Sequence, residues 1–129
     1  MTSELRVDNL KGSTTGGSIN VLGEGTSATT NLQQGLAKVW VQFDGTASGA
    51  ASRDSLNVGS MTDNGTGNYT VNFSNNMSND DYASAGIGNT MSITSEAVTT
   101  STINLLSANS SGSLSDVTIM ATSILGDLA

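Results

Sequence analysis

Large and polar residues alternate with a period of two in the stretches Ala37-Lys38-Val39-Trp40-Val41-Gln42-Phe43 and Asn68-Tyr69-Thr70-Val71-Asn72-Phe73. Successive side chains of a strand point to opposite faces, so the alternation predicts two half-buried strands. Val39, Val41 and Phe43 share one face of the first, and Tyr69, Val71 and Phe73 share one face of the second. Asn64-Gly65 is a strong hairpin signal, because both residue types accept positive φ cheaply. Arg53 to Met61, ahead of that turn, reads as a further strand with Leu56, Val58 and Met61 inward.

The second half of the chain continues the pattern. Tyr82 to Ile87 is a thin strand of small residues. Thr90 to Thr94 places Met91 and Ile93 on one face, and Ser101 to Leu106 places Ile103 and Leu105 on one face. Asp116 to Leu125 alternates Val117, Ile119 and Ala121 against Thr118, Met120 and Thr122, with Met120 and Ile124 adding apolar area to the other face. Cover on both faces fits a central strand or a subunit contact. The segments Asp44–Ala51 and Ser74–Asp81 are small and polar and read as loops. Seven or more short strands between Gly, Ser and Asn turns predict an all-β fold, an antiparallel, jelly-roll-like β-sandwich over residues 37–129.

Residues 1–36 read differently. Glu4 to Leu10 alternates as a short strand, Gly12 to Gly17 is a turn, and Ser18 to Leu22 is a second short strand. Gly23 to Thr30 is a polar loop, and Asn31 to Leu36 reads as a single helical turn. Two short strands joined by glycine form no core of their own. The segment is therefore expected to be an arm that packs on the main domain, on sister chains or on another protein. Its apolar anchors are Leu5, Val7, Leu10, Ile19, Val21 and Leu22.

Composition sharpens this picture. Leu, Ile, Val and Phe number 27 of 129 residues, against 50 Ser, Thr and Asn. That is little apolar material for one domain, so burial between identical subunits is expected to complete it. The net charge of −7, with four basic residues, excludes the basic surface that nucleic-acid binding needs. The absence of Cys and His excludes thiolate chemistry, disulfides, the usual zinc sites and imidazole catalysis. No apolar run of seven lies in residues 1–30, and none approaches membrane-spanning length, so neither an export signal nor a membrane span is expected.

Candidate chemistry is thin. Asp63-Asn64-Gly65-Thr66-Gly67-Asn68 has the oxygen-rich look of a calcium loop but lacks a distal bidentate Glu, and reads as a hairpin turn. Asp80-Asp81 reads as a solvated loop. Asp44, Asp54, Asp63, Asp80 and Asp81 include no pair singled out for glycoside hydrolysis, and five aromatic residues make a poor saccharide groove. No enzyme activity and no cofactor are expected. Trp40, opposite Val39, Val41 and Phe43, and Tyr82 are candidates for a glycan or subunit contact.

Some of these residues also carry a resemblance. The strand Trp40-Val41-Gln42-Phe43-Asp44-Gly45, the segment Arg53-Asp54-Ser55-Leu56-Asn57-Val58 and the hairpin Thr62-Asp63-Asn64-Gly65-Thr66-Gly67-Asn68-Tyr69-Thr70-Val71-Asn72-Phe73 resemble virion surface proteins of marine bacteriophages, as does the pair Asp81-Tyr82. The family comprises tail fibres, head fibres and capsid decoration modules. Openings similar to Ser3-Glu4-Leu5-Arg6-Val7-Asp8-Asn9-Leu10-Lys11 begin attachment or trimer-forming modules in it. The resemblance implies a homotrimer, assembled in the host cytoplasm and displayed on the virion surface. Its implied partners are the major capsid protein or another virion protein, with a host surface glycan as the alternative. An arm plus one globule is shorter than a long tail fibre and favours a capsid decoration, head-fibre or knob protein over a tail-fibre tip. No catalytic residues come with the family.

Overall fold

A computed structural model of the chain describes residues 4–15, 19–23, 27–88 and 92–129. The expected turn residues Gly16 and Gly17, Ser18, and the strand residues Thr90 and Met91 lie outside the described residues. Among the described residues the chain is all-β, without a helix. It falls into two compact units, Met1–Leu36 and Ala37–Ala129.

Eight strands build the second unit: β3 (Ala37–Asp44), β4 (Ala51–Leu56), β5 (Val58–Gly65), β6 (Asn68–Phe73), β7 (Ala83–Gly88), β8 (Ser92–Val98), β9 (Thr102–Ala108) and β10 (Met120–Leu125). They form two four-stranded antiparallel sheets, ordered β4-β3-β10-β7 and β5-β6-β9-β8, packed as a sandwich. The expected faces of the two long strands hold: Val39, Val41 and Phe43 of β3 and Tyr69, Val71 and Phe73 of β6 are buried. Ile103 and Leu105 of β9 join them, with Met120 and Ile124 of β10. Phe43 and Tyr69 meet edge to face across the core, with ring centroids 5.1 Å apart. Each such side chain, fully buried, contributes about 1.5–3 kcal/mol, so the four central strands hold the sandwich together.

Several boundaries differ from the expected ones. Arg53 to Met61 is not one strand. Asn57, at φ 58, turns the chain out of β4 in one sheet and into β5 in the other. Its carboxamide fixes that left-handed corner, accepting from the Asn75 backbone N–H at 2.7 Å and donating to the Asn75 carbonyl at 3.0 Å. Leu56 and Val58 consequently belong to different sheets: Val58 and Met61 pack against the core, whereas Leu56 is exposed. The hairpin turn centres on Thr66-Gly67 rather than Asn64-Gly65, since Asn64 lies within β5 and its side chain bonds Asn68 and Thr70. Strand β10 is central, between β3 and β7, but it starts only at Met120. Both Val117 and Met120 are buried, three residues apart, so the alternation changes parity across the irregular Thr118-Ile119. Met120, Thr122 and Ile124 therefore face inward, not Ile119 and Ala121. Two polar loops also add to the interior: Ala50 and Met77 are fully buried core members.

Among its described residues the first unit has two short strands, β1 (Asn20–Leu22) and β2 (Thr29–Asn31), paired with Val21 opposite Thr30. The expected strand Glu4 to Leu10 is not formed, since none of the described residues supplies its backbone a ladder. Part of the expected loop Gly23–Thr30 supplies the pairing of β1. Asn31 then opens a hydrogen-bonded turn over residues 32–35, its side-chain oxygen accepting from the N–H groups of Gln33 and Gln34. No described residue of this unit is buried. Leu5, Val7, Leu10, Val21 and Leu22 are each at least half exposed, and Ile19 is half-buried.

Candidate binding surface

The two outer faces of the sandwich differ in chemistry. Outward positions of β5, β6 and β9 carry Ser60, Thr62, Asn68, Thr70, Asn72, Thr102 and Asn104, with Leu106 the apolar member opposite Asn68. Amide and hydroxyl side chains along these rows bond one another, although Asn104 Oδ1 is buried without a partner. The Asn104 amide donates to Asn68 Oδ1 at 2.8 Å, the Asn64 amide donates to Thr70 Oγ1 at 2.8 Å, and the Asn72 amide donates to Thr62 Oγ1 at 3.2 Å. Such a face is mostly polar.

The outer face of the other sheet is unlike it. Register sets Leu56, Trp40, Ser123 and Ala85 in one row across β4, β3, β10 and β7. The next row is Asp54, Gln42, Ala121 and Ile87. Between the tall Trp40 and Ile87 the small residues Ala85, Ala121 and Ser123 form the floor of a groove of about 420 Å³. Ile87 is 72 % exposed and Trp40 half-buried. A charged side chain reaches these rows only at the β4 margin, through Asp54. An apolar groove on a chain of net charge −7 is the surface best suited to a partner.

Tyr82 does not join Trp40 there. Its ring packs edge to face on Phe73 in the core, centroids 6.0 Å apart. Its hydroxyl donates to the backbone carbonyls of Thr102 and Thr99, at 3.0 and 3.1 Å. Burial pushes the phenol from its ordinary value of 10.0 to about 12. Tyr69 is raised further, first by burial and then by its hydrogen bond to Asp116. Both tyrosines are thus structural. Unfolded tyrosines lose their protons near 10, whereas the native ones hold theirs, so rising pH draws the equilibrium toward the unfolded chain. The tyrosines' contribution to stability is expected to be intact below pH 10 and to fall between pH 10 and 12. Urea midpoints across that window check it, and Tyr82→Phe should flatten the slope.

The carboxylates considered for chemistry serve their own loops. Asp44 Oδ1 accepts from the Thr46 hydroxyl at 2.6 Å and the Thr46 N–H at 3.0 Å, and Oδ2 pairs with Arg53 at 2.8 Å. Those Thr46 hydrogen bonds, above all, hold its carboxyl below the ordinary value. Asp63 Oδ1 accepts from the Gly65 N–H at 2.9 Å, which closes the oxygen-rich hairpin on itself. Asp54, Asp80 and Asp81 are exposed. Among the described residues no three His, Cys, Asp or Glu side chains cluster to hold a metal ion. Asp116, which no sequence motif marked, is the hub of a polar node. Its Oδ1 accepts from the Tyr69 hydroxyl at 2.6 Å and from the Gly67 N–H at 2.7 Å.

The chain has no significant match among protein-family models, curated proteins or solved structures.

Proposed function

We propose that this chain is a structural, non-enzymatic bacteriophage virion protein, a capsid decoration, head-fibre or knob protein that assembles as a homotrimer in the host cytoplasm and projects from the virion surface. Residues 1–36 are the attachment and trimerisation arm, and residues 37–129 are the projecting sandwich. The reading rests above all on one contrast. Among the described residues every buried core residue lies in the second unit, while the first exposes Leu5, Val7, Leu10, Val21 and Leu22 and buries none. Exposed apolar residues on a short, strand-forming segment suit pairing with another protein's sheet edge, with backbone hydrogen bonds supplying affinity and side chains specificity. The sequence resemblance of the Thr62–Phe73 hairpin supports the placement on a virion. The anchoring partner is the major capsid protein or another virion protein, and neither nucleic acid, membrane nor cofactor is part of the reading.

Deleting residues 2–30 is expected to leave a folded sandwich and to abolish incorporation into particles, scored as copies per purified virion. Normal copy number for the truncated chain sinks the proposal.

The Trp40 groove favours a second reading, a tail-fibre tip that binds a host receptor or carbohydrate by stacking a sugar on the indole. Saturable binding of the full chain to a glycan array, lost on Trp40→Ala, decides for it.

A further inference from the structure

The four edge strands of the sandwich are β4 and β7 in one sheet and β5 and β8 in the other. Free edges offer unpaired backbone groups to any passing strand, and proteins blunt them with charges, bulges or prolines. Three edges here are blunted. β4 carries Arg53 and Asp54, and its pairing with β3 slips between Gln42 and Phe43. β5 carries Asp63 and two irregularities. β8 carries Glu96, and its register shifts between Ser95 and Val98. β7 has none of these devices. Its six residues, Ala83-Ser84-Ala85-Gly86-Ile87-Gly88, are uncharged, and their register with β10 is unbroken from Met120–Gly88 to Leu125–Ala83.

The same chain holds a segment that lacks what this edge offers. Leu5 to Leu10 is also six residues long, alternates, and has no ladder partner among the described residues. Leu5 is 75 % and Val7 54 % exposed. Charge decides which strand fits. Residues 37–129 carry eight acidic and two basic side chains, so copies of the sandwich repel one another. In the segment Glu4–Lys11, Glu4 and Asp8 are balanced by Arg6 and Lys11. It approaches that acidic body without a net penalty. A strand added beside β7 extends the uncharged outer rows that run from Trp40 through Ala121 and Ser123 to Ala85 and Ile87, and sets Leu5 and Val7 next to them.

We infer that the β7 edge receives the Leu5–Leu10 segment of a second copy of this chain, so that copies are joined by exchange of their arms. The inference rests on the arm reading above and names the surface that the arm meets.

The chain has no cysteine, so cross-linking is clean. Two purified full-length chains, one Val7→Cys and one Ala85→Cys, tagged to differ in size, are mixed and oxidised. A covalent heterodimer is expected, and none from Val7→Cys mixed with Ser52→Cys on the β4 edge. Light scattering is expected to find the unaltered chain oligomeric, and Ile87→Lys, at an exposed position that leaves the fold intact by circular dichroism, monomeric. Any of three results overturns the inference: equal cross-linking to Ser52→Cys, a disulfide that forms only within a chain carrying both Val7→Cys and Ala85→Cys, or an oligomer that survives Ile87→Lys. No particle enters these measurements. A truncated chain that still decorates virions would therefore remove the attachment role and leave the cross-link standing. A missing cross-link beside failed decoration would mean that the arm docks on the particle and not on β7.

Discussion

Gly67→Ala is expected to destabilise the fold by about 2–5 kcal/mol, one of the largest losses available from adding a single methyl group. Gly67 sits at φ +66, where an L side chain costs roughly 1–2 kcal/mol. It is also buried, and a Cβ there would stand 2.5 Å from the Ser107 carbonyl oxygen and 2.6 Å from the Ser115 nitrogen, both backbone atoms that cannot swing aside. Its N–H donates to Asp116, and its carbonyl accepts from the Ser107 N–H at 2.8 Å. Displacing the hairpin tip thus disturbs the node that joins Tyr69, Asp116 and Gly45, whose carbonyl accepts from the Tyr69 hydroxyl at 3.1 Å. Gly112→Ala separates strain from contact. Gly112 has φ +82 but open space around its missing Cβ, so it should lose only about 1–2 kcal/mol. Chemical denaturation of both variants makes the measurement. Equal losses would mean that strain alone matters, and that the close approach of Ser107 and Ser115 costs nothing.

The same glycine marks the limit of what the sequence could reveal. Period-two alternation identified β3 and β6 because their apolar residues are large and their polar ones uniform, so one burial pattern dominates. It identified the all-β class for the same reason. The signal failed where conformation, not polarity, decides. In Asp63-Asn64-Gly65-Thr66-Gly67 two glycines compete for the turn, and the one pinned by Asp116, 49 residues away, wins. Asn57 interrupts a run whose parity reads straight through Leu56, Asn57 and Val58; its left-handed φ depends on Asn75, distant in sequence. Met77 lies in a run of Asn, Ser and Asp and is buried because its backbone is bracketed by Thr100 and the Leu128 bridge. The outer-face groove was half legible. Trp40 stood out as a large residue on the wrong face, but Ile87, Ala121 and Ala85 join it only through the order β3-β10-β7, which no local pattern encodes. Tyr82 is a contact candidate by its chemistry alone, and only its neighbours show that its hydroxyl is committed to the backbone.

Strand β10 offers the sharpest contrast between pattern and packing, and Met120→Ala is expected to cost about 2–5 kcal/mol where Ile119→Ala costs less than about 1 kcal/mol. Alternation sets Val117, Ile119 and Ala121 on one face and Met120 and Ile124 on the other, and does not say which face meets the core. In the fold Met120 is fully buried opposite Phe43 in the register of β10 with β3, while Ile119 is 40 % exposed. Parity changes because the chain is held at two points before the strand begins. The Val117 carbonyl accepts from the Gly45 N–H at 2.8 Å, and the Asp116 carboxylate is fixed by Tyr69 and Gly67. With Val117 buried at that anchor, Thr118 and Ile119 bridge to the sheet irregularly, and the ladder starts at Met120. Truncating Met120 removes side-chain volume where Phe43 and its neighbours cannot collapse fully, so transfer and cavity terms add. Truncating Ile119 removes surface that water already reaches. Equilibrium unfolding of the two variants under one condition ranks them. A larger loss at Ile119 than at Met120 would place the outer face of this sheet inside, and with it the rows from Trp40 to Ile87 that the second copy's arm is expected to extend by pairing with β7.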